Sequence, residues 1–178
     1  MKNAIALAAL LIFVPAVVVA QSTDQNPHAL GYIFVGPATN HMALSAGFGG
    51  EGYVSKNFAI GLEAGTTGFT TTSRGNPNWI GLGSANFSYH FFPKQYKGKV
   101  APFVTGGYTN FFGQDTDAGG NSTSGVNVGG GVDLFFSKHM GVRFDARYYA
   151  HGGRILWPSF PSGTDFSFTA IRIGLTFR

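Results

Sequence analysis

Arg143, Asp145 and Arg147 stand two residues apart in the stretch GVRFDARYYA (141–150), with Val142, Phe144, Ala146 and Tyr148 in between. A two-residue period is the signature of a β-strand with one polar and one apolar face. The polar face here is ionic, in a chain of which only 11% is charged. Glu51, Glu63, Asp133 and Arg172 occupy similar positions, with small or apolar neighbours on either side. Seven such side chains, nearly balanced in sign, can neutralise one another in a buried network or line a narrow ion path. Catalytic chemistry is poorly supplied by comparison. His28, His41, His90 and His139 show no metal-ligand spacing. The stretch DTDAGG (115–120) opens like a calcium loop but lacks the closing glutamate. The runs Gly49-Gly50 and Gly129-Gly130-Gly131 lead into no helical pattern, so they do not read as phosphate cradles; they suit barrel curvature instead. No cofactor and no metal are expected, and the chain does not read as an enzyme.

The elements that must position these residues are strands. After residue 20 no stretch keeps a helical period, and eight runs have strand character: 29–35, 42–54, 58–70, 79–92, 100–112, 125–136, 140–150 and 166–178. Most are long enough to cross a bilayer at a tilt. Their connections alternate in kind. Ser55-Lys56-Asn57, Pro93 to Lys99 and Ser137-Lys138-His139 are short and basic, whereas TTSRGNPN (71–78), GQDTDAGGNSTS (113–124) and HGGRILWPSFPSGTD (151–165) are longer polar loops. Every lysine after residue 20 falls in the three short turns. Short turns on one rim and longer loops on the other describe an up-and-down barrel of the outer-membrane kind.

The start of the chain is read separately. Met1-Lys2-Asn3 precedes an unbroken apolar run from Ala4 to Ala20, with Val18 and Ala20 at small-residue positions. Residues 1–20 are therefore expected to be a cleaved signal peptide, and residues 21–178 one barrel domain. The chain has no cysteine, hence no disulfide framework. Its formal net charge of +4, one unit of it from Lys2, is too mild to point to nucleic acid.

Which face is the inside follows from residue types. The last strand sets Ile171, Ile173, Leu175 and Phe177 against Arg172, Gly174 and Thr176. The fourth sets Ala85, Phe87, Tyr89 and Phe91 against Ser84, Asn86, Ser88 and His90. The first and fifth strands are apolar on both faces and stay unassigned. Aromatics flank the apolar faces, with Phe58, Phe91, Phe136 and Phe177 toward the turns and Trp79, Phe111 and Tyr148 toward the loops. Two such levels match the girdles at membrane interfaces. The polar faces are rich in glycine and serine, which suits the filled interior of an eight-stranded barrel. A basic residue facing lipid at mid-depth costs roughly 2–4 kcal/mol. The ionic face is thus expected inside, and the fold class is all-β: an eight-stranded antiparallel up-and-down transmembrane barrel.

The sequence resembles the small eight-stranded outer-membrane barrels of the OmpA-like and OmpX-like type, the outer membrane protein beta-barrel domain. The resemblance rests on VNVGGGVDLFFSKHMGVRFDARYY (126–149), which looks like that family's penultimate hairpin, and on the closing IRIGLTF (171–177). It implies a Gram-negative outer-membrane location. It also implies contact with outer-membrane lipid and lipopolysaccharide, and handling by the barrel-assembly machinery during insertion. In that family the last strand usually ends on an aromatic residue; here Phe177 is followed by Arg178. A lipid A deacylase of the outer-membrane type is the enzymatic alternative, since RYYAHGG (147–153) resembles its late strand. The position two after His151 is Gly153, however, so the nucleophile is missing.

The first reading is therefore a structural and surface-interaction protein whose lumen is filled by Glu51, Glu63, Asp133, Arg143, Asp145, Arg147 and Arg172. A narrow passive, porin-like pore is the alternative, and a soluble ligand-binding barrel is the alternative at the level of fold. Ile155, Leu156, Trp157 and Phe160 form an apolar loop tip suited to an extracellular surface partner. One register expectation is specific. If Ser137-Lys138-His139 is a three-residue turn, Asp133 falls opposite Arg143, whereas a two-residue slip sets it against Asp145.

Overall fold

The computed structural model describes residues 29–39, 42–69, 79–91, 99–113, 122–151 and 166–178. They form eight strands: β1 (Ala29–Pro37), β2 (Met42–Tyr53), β3 (Phe58–Phe69), β4 (Trp79–His90), β5 (Val100–Gly113), β6 (Ser122–Phe135), β7 (Met140–His151) and β8 (Phe166–Phe177). Each pairs antiparallel with its neighbour in sequence, and β1 pairs with β8 to close the barrel. The eight strands and their order agree with the sequence reading. Boundaries differ by a few residues, most at the start of β6, which begins at Ser122 rather than Gly125. The signal-peptide expectation falls on residues outside the description. No helix among the described residues is long and apolar enough to cross a membrane.

Closure leaves no open sheet edge, so the strands' backbone groups pair around the ring, as a bilayer requires. The seam is the thinnest part of the wall. Gly31 to Val35 pair with Ile173 to Phe177, and a single bridge joins Ala38 to Ala170. Gly36 lies against the Ile171 carbonyl there, where a Cβ would collide.

The turn after β6 fixes the register of the β6–β7 hairpin. The Phe136 and Ser137 amides donate to the Met140 carbonyl, and the Met140 amide donates to the Ser137 hydroxyl. Asp133 consequently pairs with Arg143, as the three-residue turn demands. Their charged groups stand 3.8 Å apart.

Burial is inverted relative to a soluble barrel. Exposed outward side chains include Ile60, Leu62, Val104, Val128, Ile171 and Ile173, while Glu51, Glu63, Asp133, Arg143, Asp145, Arg147 and Arg172 are buried. The two strands that sequence left unassigned are also fixed. β1 turns Leu30, Tyr32 and Phe34 inward and exposes Ile33 and Val35. β5 turns Ala101, Phe103, Thr105, Thr109 and Phe111 inward and exposes Val104, Tyr108 and Phe112.

Phe111 requires a correction. Expected as an outward aromatic of the loop-side girdle, it is 1% exposed and points into the barrel, and its neighbour Phe112 is the outward ring. Side chains alternate faces residue by residue, so a one-position misreading exchanges inside for outside. Phe58, Trp79, Phe91, Phe136 and Tyr148 are exposed, and Phe177 is partly so.

Candidate functional site: the charged interior

The inward faces of β2, β3, β6, β7 and β8 bring the seven charged residues together. Register makes room for them. Gly129 lies beside Arg147, Gly131 beside Asp145 and Gly174 beside Arg143, while Gly49 lies beside Glu63 and Gly61 beside Glu51. A Cβ added at Gly131 would collide with the Phe144 carbonyl and the Asp145 side chain. The inward glycines are therefore spaces into which neighbouring long side chains lean, as well as points of curvature.

Glu63 is the centre of the larger group. Its carboxylate accepts from Arg147 Nη1 at 2.9 Å, from Arg172 Nη1 at 2.8 Å and Nη2 at 3.3 Å, and from the Tyr32 and Tyr149 hydroxyls at 3.1 Å each. Arg172 in turn donates Nε and Nη2 to the two Asp145 oxygens at 2.6 and 2.7 Å, a bidentate fork across the β7–β8 ladder. Such fork geometry is the strong form of a charge-assisted hydrogen bond. Phe34 lies under the Arg172 guanidinium, 4.0 Å from ring centre to Cζ.

The second group is nearer the turns. Arg143 Nη2 donates to Glu51 Oε1 at 2.9 Å, and its guanidinium is flanked by Tyr32 and Phe103 at 4.1 and 3.9 Å. His90 Nε2 lies 2.6 Å from Glu51 Oε2, and its Nδ1 lies 3.9 Å from Asp133. Arg143 Nε at 3.7 Å from Asp145 joins the two groups. The wall of β4, β5 and β6 adds uncharged links: Ser84 to Thr109 at 2.8 Å, Ser88 to Thr105 at 2.9 Å, and Asn127 Nδ2 to both Asn86 and Thr109 at 2.9 Å.

An apolar layer lies at each end of this polar middle. At the loop end, Leu82, Phe111, Tyr149, Phe168 and Ala170 cluster, with the Tyr149 and Phe168 rings stacked 4.8 Å apart. At the turn end, Leu30, Ala101 and Phe135 cluster with Tyr53 against them. Arg178 covers that end, its guanidinium 3.9 Å from the Phe135 ring centre and its Nε donating to the Lys138 carbonyl.

Several of these residues escaped the sequence reading. His90 stood on the inward face of β4 but seemed isolated, because its partners lie 39 and 43 positions away on other strands. Tyr32, Phe34 and Phe103 sit on the two strands that are apolar on both faces, where alternation carries no signal. The loop residues Ile155, Leu156, Trp157 and Phe160 lie outside the described residues, as does the side chain of His151. Among the described residues no group of histidine and acidic side chains is arranged to hold a metal.

A closed ring of eight antiparallel strands, apolar outside and ionic within, defines a barrel of the outer-membrane type. The chain belongs to the outer membrane protein beta-barrel domain family, whose pattern matches residues 5–178. No curated protein matches the sequence. Among solved structures it is similar to Neisserial surface protein A, with 10% identity, a TM-score of 0.61, and coverage of 84% of this chain and 94% of that one. It is also similar to Ail, the attachment invasion locus protein of Yersinia pestis, in complex with the heparin analogue sucrose octasulfate. That match has 9% identity, a TM-score of 0.52, and coverage of 84% and 96%. At these identities the likeness concerns the fold.

The adjacent rings of β5 give a direct check on the facing of the wall. Phe111→Ala empties a packed site and should cost about 3–5 kcal/mol, whereas Phe112→Ala on the lipid side should cost clearly less. Urea unfolding of both variants in lipid vesicles measures the difference. Equal losses would return Phe111 to the membrane face.

Proposed function

We propose that this outer-membrane barrel is a closed structural element, sealed through its lumen by the charged network, and that it meets its surroundings through its loops. The observation that carries the reading is the layering of the interior, with a hydrogen-bonded ionic middle held between two apolar clusters. In an eight-stranded barrel the interior is just wide enough for side chains to fill. Three arginines, two tyrosines and inward phenylalanines occupy it here. Ions would have to cross both apolar layers and displace guanidiniums from carboxylates. On this reading the wall itself performs no catalysis. Delivery follows export by a cleaved leader over residues 1–20 and insertion by the barrel-assembly machinery, which would read the closing strand IRIGLTF (171–177).

Surface interaction falls to Ile155, Leu156, Trp157 and Phe160, which stand in the sequence among the polar residues of 151–165. Apolar residues that a protein exposes to solvent often mark partner sites, and an extracellular surface molecule is the partner we infer.

Two measurements follow. Refolded protein in a planar bilayer should show no discrete conductance steps, with the heat-dependent gel shift of a folded barrel as control; steps that change on replacing Arg147 or Glu63 would make the network a pore lining. Trp157→Ala should leave thermal unfolding in detergent unchanged if the loop tip is free to bind. A marked fall in melting temperature would mean that Trp157 packs over the barrel mouth as a lid.

A further inference from the structure

The charges of the interior do not balance on the arginines alone. Among the described residues the buried carboxylates are Glu51, Glu63, Asp133 and Asp145, four in all, and the buried guanidiniums are Arg143, Arg147 and Arg172, three in all. Four less three leaves one surplus negative charge away from solvent, and an uncompensated buried charge is strongly destabilising. Arg178 is only partly buried and covers the turn end against Phe135, while Lys56, Lys99 and Lys138 are exposed. The remaining buried side chain able to carry a positive charge, among the described residues, is His90, which is 0% exposed.

Carboxylates stand at both nitrogens of the His90 ring. Nε2 is 2.6 Å from Glu51 Oε2, and the other Glu51 oxygen accepts from Arg143 Nη2 at 2.9 Å. Nδ1 is 3.9 Å from Asp133 Oδ2. Tyr53 and Phe103 flank the ring, with centres 5.2 and 5.3 Å away. A neutral imidazole has one N–H and one lone pair, and only the imidazolium presents an N–H at each nitrogen. In this place either neutral tautomer turns a lone pair toward a carboxylate. Asp133 has the greatest need of the cation. Glu51, Glu63 and Asp145 are each hydrogen-bonded at both oxygens. Asp133 is fully buried and accepts no hydrogen bond among the described residues, and its other close cation is Arg143 Nη1 at 3.8 Å.

We propose that His90, Glu51 and Asp133 form a buried proton-binding site in which His90 is held as an imidazolium and serves as the fourth cation of the interior. The inference rests on the sealed-lumen reading, because mobile ions in an open lumen would screen the surplus charge. Release of this proton would return the surplus charge to the turn end, where His90 on β4 joins Glu51 on β2 to Asp133 on β6.

The test reads the ring directly. The full chain is labelled with nitrogen-15 histidine and carries His28→Gln, His41→Gln, His139→Gln and His151→Gln, so that His90 gives the only histidine signals. It is refolded in lipid vesicles, with the gel shift as the control for folding. Spectra are taken at about pH 7.5, where an imidazole with the ordinary value near 6.5 is roughly nine-tenths neutral. Both ring nitrogens of His90 should show the shifts of protonated nitrogen. One protonated nitrogen beside one lone-pair nitrogen overturns the proposal. Charge balance is read separately by urea unfolding: His90→Gln should lower the midpoint, and adding Asp133→Asn to it should recover part of the loss. A double variant no more stable than His90→Gln would also overturn the proposal. A neutral His90 in a barrel that shows no conductance defeats this inference alone, whereas conductance steps defeat the sealed lumen and the inference with it.

Discussion

The carboxylate of Glu63 is the interaction around which the interior is arranged. It accepts hydrogen bonds from two arginines and two tyrosines that come from β1, β7 and β8, while Glu63 itself lies on β3. These contacts cross the lumen rather than follow the wall, so they tie together strands that the ladder does not pair. A buried ion is costly unless paired and hydrogen-bonded, and removing one partner of such a pair is strongly destabilising. The network therefore constrains the barrel to one cross-section: any widening would separate Glu63 from Arg147 or Arg172. Electroneutrality does not by itself require this geometry. The fork from Arg172 to Asp145 and the rings under Arg172 and Arg143 make it specific.

The wall accommodates the network by being uneven. Beside several of the long side chains of β7 a neighbouring strand places glycine or alanine, as at Gly129 and Ala170 on either side of Arg147, Gly131 beside Asp145 and Gly174 beside Arg143. Where β4 and β5 contribute serine, threonine and asparagine, the wall bonds to itself. Large and small inward side chains thus stand beside one another around the circumference, the arrangement that suits the narrow interior of an eight-stranded barrel. Outside the barrel a lipid-facing surface asks only for apolar character, and there the sequence varies freely among Ile, Leu, Val, Phe and Ala.

That difference explains what could be read from sequence. Strict alternation in β3, β4, β6, β7 and β8 identified both the strands and their inward charges, and one short turn sufficed to pair Asp133 with Arg143. Alternation fails where both faces are apolar. β1 buries Tyr32 and Phe34 beside an equally apolar outer face, and β5 places Phe111 and Phe112 side by side, so the choice between them needed tertiary context. His90 was silent for a different reason. A histidine among serines on one strand gains its role from Glu51 and Asp133 on others, and that distance along the chain is invisible to local pattern.

The most direct test of this account is a double-mutant cycle between Glu63 and Arg172, read by urea unfolding in lipid vesicles with Glu63→Gln, Arg172→Gln and the pair. A direct, desolvated ion pair predicts coupling toward the upper end of the usual range for contacting residues, about 2–3 kcal/mol. Losses that simply add would mean that the two charges are solvated independently and that the lumen is wet, contrary to a sealed barrel.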